Sequence, residues 1–128
     1  MPIHLDHTIV LATDKSRSAT FLADILGLPV GAPYGPFLPI GTANGVTLDF
    51  MDGPAEQVRP HHYAFRVEED EFDVILDRLR TAGVTIYADP GRRVAGRVNT
   101  WDGGRGMFFA DPDGHNMEVI TRSYGGGS

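Results

Sequence analysis

Two segments of the chain alternate between hydrophobic and polar positions in the way that predicts half-buried β-strands. The first is DHTIVLA, residues 6–12, and the second is HHYAFRV, residues 61–67. Aligned at an offset of 55 residues, the two segments place His7 over His62. Successive side chains of a strand point to opposite faces, and both histidines fall on the face opposite the one predicted to pack under a helix. The chain therefore repeats a strand with a histidine at the same position in each copy.

Each predicted strand is followed by a segment with the hydrophobic spacing of an amphipathic helix. The first segment is SRSATFLADILG, residues 16–27, and the second is EDEFDVILDRLRTAG, residues 69–83. In both segments the apolar side chains form one stripe and the pattern ends at a glycine, Gly27 or Gly83. Acidic residues at the start of the second segment and arginines at its end suit the dipole of a helix. Two surface helices, each with one buried face, are predicted.

A predicted hairpin completes each copy of the repeat. LPIGTANGVTLDF, residues 38–50, aligns with MFFADPDGHNMEV, residues 107–119, at an offset of 69. Asn44-Gly45 then coincides with Asp113-Gly114, and such dipeptides favour hairpin turns because glycine tolerates positive φ. The same alignment superposes Asp49 on Glu118. The larger offset reflects an insertion of 14 residues in the second copy, in a loop rich in glycine and arginine.

The repeat predicts an α+β fold made of two βαβββ modules related by a pseudo-twofold axis. Each module is expected to run strand, helix, strand, strand, strand and to form half of an open mixed β-barrel with its helix outside. One domain is expected over residues 1–124, with repeats at about 3–52 and 60–121. The last four residues, GGGS, resemble a flexible tail.

Composition and charge restrict the kind of partner. The formal net charge of −6 disfavours nucleic acid and anionic membranes, which both reward a basic surface. No apolar run approaches the roughly 20 residues of a membrane span. The chain has no cysteine, which excludes disulfides, thiolate ligands and cysteine nucleophiles. The acidic charge fits a small-molecule ligand or a protein partner better, and a small-molecule substrate is expected. The N-terminus lacks the pattern of a signal peptide, so a cytoplasmic location is expected.

Two histidines and two carboxylates occupy corresponding faces of four predicted strands. They are His7, His62, Asp49 and Glu118. Taken singly, each could be a structural or solvated residue. Independent structural residues, however, have no reason to fall at positions related by the repeat. Neutral imidazoles with one or two carboxylates suit divalent Fe, Mn, Ni, Co or Zn, so a metal site facing a cavity is predicted.

These segments resemble the vicinal oxygen chelate superfamily, which includes glyoxalase I, extradiol dioxygenases and bleomycin resistance proteins. The resemblance covers residues 3–122 and rests on LDHTIV, FLADILGLP, HHYAFRV and FFADPDGHNMEVI. It implies a divalent metal held by His7, His62 and Glu118, which chelates neighbouring oxygens of the substrate and acts as a Lewis acid. It also implies a homodimer.

Asp49 decides between the reactions that the resemblance implies. The matching position of glyoxalase I is a glutamate that completes a set of four ligands, and aspartate is one methylene shorter. Asp49 and Glu118 are therefore the candidate catalytic carboxylates. A glyoxalase-like lyase or isomerase is favoured, and an extradiol-type dioxygenase that uses the triad alone is an alternative. A drug-binding protein of the bleomycin resistance type is the other alternative, but such proteins generally lack the metal residues.

Arg66, Trp101 and Arg105 are the candidates for contacts with the substrate. Arg66 shares its predicted strand face with His62. Arg105 lies in the arginine-rich inserted loop, just before the strand that leads to the metal hairpin, and could hold a carboxylate or phosphate. A solvated loop is the alternative for the arginines of this segment, and plain packing is the alternative for Trp101. The substrate itself cannot be identified, because a fold does not fix a function.

Overall fold

The computed structural model describes residues 1–124 of the chain. These residues divide into two compact units, of which the first is Met1–Arg59 and the second begins at Pro60. Each unit contains one α-helix and one three-stranded sheet, which confirms a small α+β fold. No helix within residues 1–124 is long and apolar enough to cross a membrane. The predicted tail, residues 125–128, lies outside the described part of the chain.

The first unit consists of a sheet with a helix packed on it. Its elements are β1 (His7–Ala12), α1 (Lys15–Leu26), β2 (Leu38–Gly41) and β3 (Thr47–Asp52), followed by a short 3-10 turn at Ala55–Gln57. The strand order is β1-β3-β2, with β1 parallel and β2 antiparallel to the central β3. α1 contacts all three strands, and fully buried Val10 and Ala12 belong to the core beneath it.

The two ends of helix α1 are set by Asp14 and Gly27. The Asp14 side chain accepts a hydrogen bond from the backbone N–H of Arg17, which caps the first turn. Gly27 ends the helix in the left-handed conformation at φ 72°, which costs glycine little. The buried face includes Ala19, Leu22 and Ile25, so the predicted apolar stripe is confirmed at these positions.

The second unit repeats this arrangement. Its elements are β4 (His62–Arg66), α2 (Glu69–Thr81), a 3-10 turn at Trp101–Gly103, β5 (Gly106–Ala110) and β6 (Asn116–Ile120). The strand order is β4-β6-β5, with β4 parallel and β5 antiparallel to the central β6. Phe72, Ile75 and Leu79 form the buried face of α2, as its hydrophobic spacing predicts.

The register of the two sheets confirms the repeat at the level of single residues. On the central strand β3, Asp49 pairs with Ile9 of β1, two positions beyond the residue that pairs with His7. On β6, Glu118 pairs with Ala64 of β4, again two positions beyond the residue that pairs with His62. The two carboxylates therefore occupy equivalent places relative to the two histidines.

The structure differs from the prediction in the number of strands. Each unit has three strands instead of four, because the predicted second strand is absent from both among the described residues. In the first unit this segment is LPVGAPYGPF, residues 28–37, whose prolines cannot donate to a ladder. In the second unit only isolated bridges form, at Tyr87 and Asn99. Neither sheet closes on itself within residues 1–124.

The hairpin glycines behave as predicted, although the loops are longer than two-residue turns. Loop 42–46 joins β2 to β3, and loop 111–115 joins β5 to β6. Gly45 and Gly114 have φ values of 83° and 85°, a region that other residues rarely adopt. Both loops thus depend on glycine at the position that the repeat aligns.

Candidate metal centre

Glu118 and His62 form a direct side-chain pair in the second unit. Glu118 lies on the central strand β6 and is 1% exposed. Its Oε1 is 2.7 Å from Nε2 of His62, which is the first residue of the edge strand β4. The His62 side chain is 46% exposed, so one member of the pair faces solvent while the other is buried. Two adjacent parallel strands thus bring a nitrogen ligand and an oxygen ligand together.

The second oxygen of Glu118 is unusual because it is buried and has no hydrogen-bond partner among residues 1–124. A buried polar atom without a partner costs free energy. Burial raises the pKa of Glu118, and the hydrogen bond from His62 opposes that increase. A cation bound at this carboxylate would offset the cost. The pair therefore fits a divalent metal, which imidazole and carboxylate ligands both suit.

His7 is held by its neighbour Asp6 in the first unit. Nδ1 of His7 lies 2.8 Å from Oδ2 of Asp6, and both side chains are exposed. This hydrogen bond raises the pKa of His7, and the charge of Asp49 contributes in the same direction. A carboxylate on one ring nitrogen is the arrangement commonly found behind metal-binding histidines, because it orients the ring and leaves Nε2 for the metal.

A cleft of about 380 Å³ lies beside His7 in the first unit. Among the described residues, its polar wall is Asp6, His7, Thr47 and Asp49, and its apolar wall is Tyr34, Phe37 and Pro39. Tyr34 and Phe37 face each other across a tight turn, with each backbone N–H donating to the other carbonyl at 2.9 to 3.0 Å. No lysine or arginine lines the described cleft, so its charge is that of the two carboxylates and the histidine.

The structure brings the predicted ligands together in pairs. Within residues 1–124, no group of three or more histidine, aspartate or glutamate side chains lies close enough to hold a metal ion. His62 and Glu118 are in contact, and His7 and Asp49 line one cleft. The triad of His7, His62 and Glu118 stays a prediction.

Of the predicted substrate contacts, Trp101 is connected to His62 through the ring of Phe108. Its ring centroid is 6.0 Å from that of Phe108, and Phe108 lies edge-on to His62 at 5.7 Å. Trp101 is partly exposed and also contacts Tyr124 at 6.1 Å. Arg66, on the same strand as His62, is exposed and donates to the Ser123 hydroxyl at 3.3 Å. Trp101 is thus separated from His62 by a single aromatic ring.

Arg105 is bound to helix α2. Its Nε donates to Glu69 and its Nη1 to Asp73, each at 2.8 Å, and its guanidinium lies 4.4 Å above the Phe72 ring. These contacts join the residue preceding β5 to the acidic first turns of the helix. The guanidinium of Arg105 is therefore engaged by α2, and its role as a substrate contact stays a prediction.

Three polar residues next to the candidate ligands were missed by the sequence analysis. Asp6 supports His7, and the Asp-His dipeptide was a signal that could have revealed it. Buried Asp111 and His115 lie in the loop before β6, and no periodicity marks them. Nδ1 of His115 accepts a hydrogen bond from the backbone of His61, 54 residues away in the sequence.

Comparison with known proteins agrees with this architecture. The family model described as the Glyoxalase/Bleomycin resistance protein/Dioxygenase superfamily matches residues 4–119. The solved structure of "Oxidase ChaP-H2" is 55% identical with a TM-score of 0.95, and 100% of each chain is covered. "Oxidase ChaP-H1" is 54% identical with a TM-score of 0.93, covering 98% of this chain and 100% of the other. "Glutathione transferase FosA" of Serratia marcescens is 32% identical over 93% of this chain and 81% of its own length. The chain therefore belongs to the glyoxalase, bleomycin resistance protein and dioxygenase superfamily, as a metal-dependent enzyme.

Proposed function

We propose that the chain is a metal-dependent oxidase that acts on a small oxygenated substrate, with a divalent metal held by His7, His62 and Glu118. The main support for the metal site is the buried Glu118 carboxylate. One of its oxygens contacts His62, and the other has no hydrogen-bond partner among residues 1–124. The choice of oxidation is supported by identity of 55% over the full length of a protein named an oxidase.

The two proposed histidine ligands and the proposed carboxylate ligand contribute different properties. His62 and His7 supply neutral nitrogens, and Asp6 holds the His7 ring so that Nε2 is available. Glu118 supplies negative charge from the centre of a sheet, where the strand fixes its position. A metal bound by two histidines and one carboxylate has open positions at which it can act as a Lewis acid toward the substrate.

Asp49 is proposed to act beside the metal as a general base. It is half-buried on the central strand β3 and lines the cleft with His7 and Thr47. A carboxylate in this place can accept a proton from a substrate hydroxyl. Since the described lining contains two aspartates and no lysine or arginine, the cleft favours an uncharged substrate over an anionic one. Tyr34 and Phe37 offer it an apolar surface.

A glyoxalase-like lyase is the second candidate. Asp49 matches Glu118 in the register of the repeat, as a fourth ligand would. In that case Asp49 binds the metal instead of serving as a base. The names of an oxidase and a glutathione transferase among the similar proteins favour an enzyme over a drug-binding protein.

The two candidates are separated by their need for oxygen. Chelator-treated protein is reconstituted with Fe(II), Mn(II), Co(II), Ni(II) or Zn(II) and offered catechols, hemithioacetals or epoxides while dissolved oxygen is recorded. We expect oxygen consumption that requires both the metal and a catechol-type substrate. His62→Ala should abolish it, whereas His61→Ala, the neighbouring histidine, should retain it. Turnover of a hemithioacetal without oxygen would instead establish the lyase, and absence of metal binding would refute the site.

A further inference from the structure

His115 is a fully buried imidazole in loop 111–115, between β5 and β6. Its Nδ1 accepts a hydrogen bond of 2.9 Å from the backbone N–H of His61. His61 immediately precedes His62, which begins the edge strand β4. The side chain of a hairpin residue thus holds the peptide in front of a proposed metal ligand.

This hydrogen bond replaces a missing rung of the β4–β6 ladder. In a parallel pair a residue bonds to the two residues that flank its direct partner. The His61 carbonyl accepts from the Asn116 N–H at 2.8 Å. In a regular parallel ladder, the N–H of His61 would therefore donate to the carbonyl of Gly114. At φ 85° the chain turns at Gly114, whose carbonyl accepts from Arg92 instead, at 2.9 Å. The His115 imidazole occupies the acceptor position that the turn leaves empty.

The imidazole is fixed by its own surroundings. Oδ1 of buried Asp111 accepts from the backbone N–H of His115 at 2.8 Å and from that of Asp113 at 3.0 Å, which closes the loop. The Tyr63 ring lies edge-on to the imidazole, at 5.9 Å between centroids. Because Nδ1 accepts from His61, the neutral ring carries its proton on Nε2.

We propose that His115 is a positioning residue for the His62–Glu118 pair. The end of an edge strand has bonds on one side only and frays easily. His62 is the first residue of such a strand, half-exposed, and has to stay within hydrogen-bonding distance of a buried carboxylate. By completing the ladder at His61, the imidazole sets the separation of the two ligand atoms before any metal arrives. A site whose support is loose by about 1 Å binds poorly. As far as it concerns metal, the proposal rests on the proposed function.

Three substitutions of His115 distinguish the effect of its hydrogen bond to His61 from the effect of filling the space with a side chain. His115→Asn places an amide oxygen close to the position of Nδ1 and can still accept from His61. His115→Gln extends its amide toward the position of Nε2, and His115→Leu fills the space without an acceptor. If the acceptor is what matters, Asn should keep metal affinity within about threefold, whereas Gln and Leu should lose roughly ten- to a hundredfold, the range for outer-shell partners.

Two measurements are made on each variant. Calorimetric titration with Mn(II) or Zn(II) gives the metal affinity, and amide hydrogen exchange of the metal-free protein reports the His61 and Asn116 N–H groups directly. We expect faster exchange at His61 in the Gln and Leu variants, near-normal exchange in the Asn variant, and metal affinity that follows the same order. Melting curves identify any variant that does not fold. If it is the Gln or the Leu variant, the other one is compared with Asn; if it is the Asn variant, the unaltered protein serves as the form that has the acceptor.

The outcomes keep this inference distinct from the proposed function. If the Leu variant exchanges faster at His61 but binds metal like the unaltered protein, the positioning role is overturned while the metal site stands. The same role is overturned if the Asn variant loses affinity as much as the Leu variant. Should the unaltered protein bind no metal, the proposed function fails. The exchange data then decide alone whether the imidazole completes the ladder, with unchanged exchange at His61 in the Leu variant refuting it.

Discussion

At the scale of single residues, Glu118 links stability to pH in the metal-free protein. Burial raises the pKa of this carboxyl, so folding favours its protonated form. The stability contributed by that preference is complete below the pKa of the unfolded chain and is lost as pH rises through the folded pKa. Glu118→Gln is uncharged at every pH and should remove the loss. Urea unfolding in chelator, at several values between about pH 4 and 8, measures the difference.

Asp49→Asn is the matched control for Glu118→Gln. Glu118→Gln should weaken metal binding by tenfold or more, because it removes the only anionic member of the proposed triad. Asp49→Asn should leave affinity nearly unchanged if Asp49 is a base, while turnover falls. Equal and negligible effects of both changes on metal binding would contradict the assignment.

His7 offers a prediction that needs no metal. The hydrogen bond to Asp6 raises the pKa of this imidazole above its ordinary value. The pair therefore stabilises the folded chain below the unfolded pKa of His7, and that contribution disappears as pH rises through the folded value. In Asp6→Asn the pKa should fall, as NMR titration of the ring protons would show. Asp49→Asn should lower it less, since Asp49 acts only through its charge. An unchanged pKa in Asp6→Asn would mean that the pair does not form in solution.

Single residues also show which contacts can be predicted from the sequence and which cannot. The correspondence of His7 with His62 and of Asp49 with Glu118 could be predicted, because a repeat translates directly into register. His115 could not be, since its bond to the backbone of His61 joins positions 54 residues apart and depends on where Gly114 directs its carbonyl. Side-chain to backbone contacts of this kind leave no periodic signal.

At the scale of elements, Arg105 connects α2 to the residue before β5. Arg105→Ala removes two ion pairs and the contact with Phe72, and should lower Tm by several degrees while metal affinity stays the same. The pKa of Glu69 is held below its ordinary value, first by a hydrogen bond with Thr121 and then by Arg105. That stabilisation is present above the ordinary pKa and is lost as pH falls through the folded one, so the variant should be less sensitive to acid.

Arg66→Ala is the control for this prediction. Arg66 is exposed, and its guanidinium donates a long hydrogen bond to Ser123 at 3.3 Å, so its removal should change Tm little. Thermal melts of both variants, with substrate kinetics once a substrate is known, distinguish the structural role from the catalytic one. If Arg105→Ala melts like the unaltered protein but fails to bind substrate, the role first predicted from sequence is correct.

The elements themselves were predictable to different degrees. Both helices and the six strands follow from hydrophobic spacing, because one buried face imposes a period that the sequence shows directly. The expected second strand of each module did not form. In residues 28–37, Pro29, Pro33 and Pro36 remove donors from any ladder. In the insertion of the second unit, glycines and turns limit pairing to single bridges.

At the scale of the whole molecule, we expect a homodimer. The exposed side chains of Ile3, Leu5 and Ile9 lie on or just before the edge strand β1. Apolar groups next to an open strand edge favour association with another chain. Light scattering at micromolar concentration should give twice the chain mass of 13.9 kDa. A mass of one chain, with metal binding intact, would refute the dimer and leave the site.

Mixing two inactive variants then shows whether a site takes ligands from one chain or two. His7→Ala and Glu118→Ala are unfolded together in urea and refolded as a mixture. If each site draws on two chains, mixed dimers recover one intact site and part of the metal binding. If each site lies within one chain, no mixture recovers it. Each variant refolded alone is the control and should bind no metal tightly.

The contact of Trp101 with Phe108 gives the protein an optical probe of its own. Trp101 is the only tryptophan of the chain, so all indole emission comes from one ring that is separated from His62 by a single aromatic side chain. Paramagnetic ions such as Cu(II) or Co(II) quench a nearby indole, and an arriving substrate changes its exposure to water. Binding of a metal or a substrate near His62 can therefore be followed by tryptophan fluorescence in the unlabelled protein, before the substrate is known. Any change in emission is assigned to Trp101.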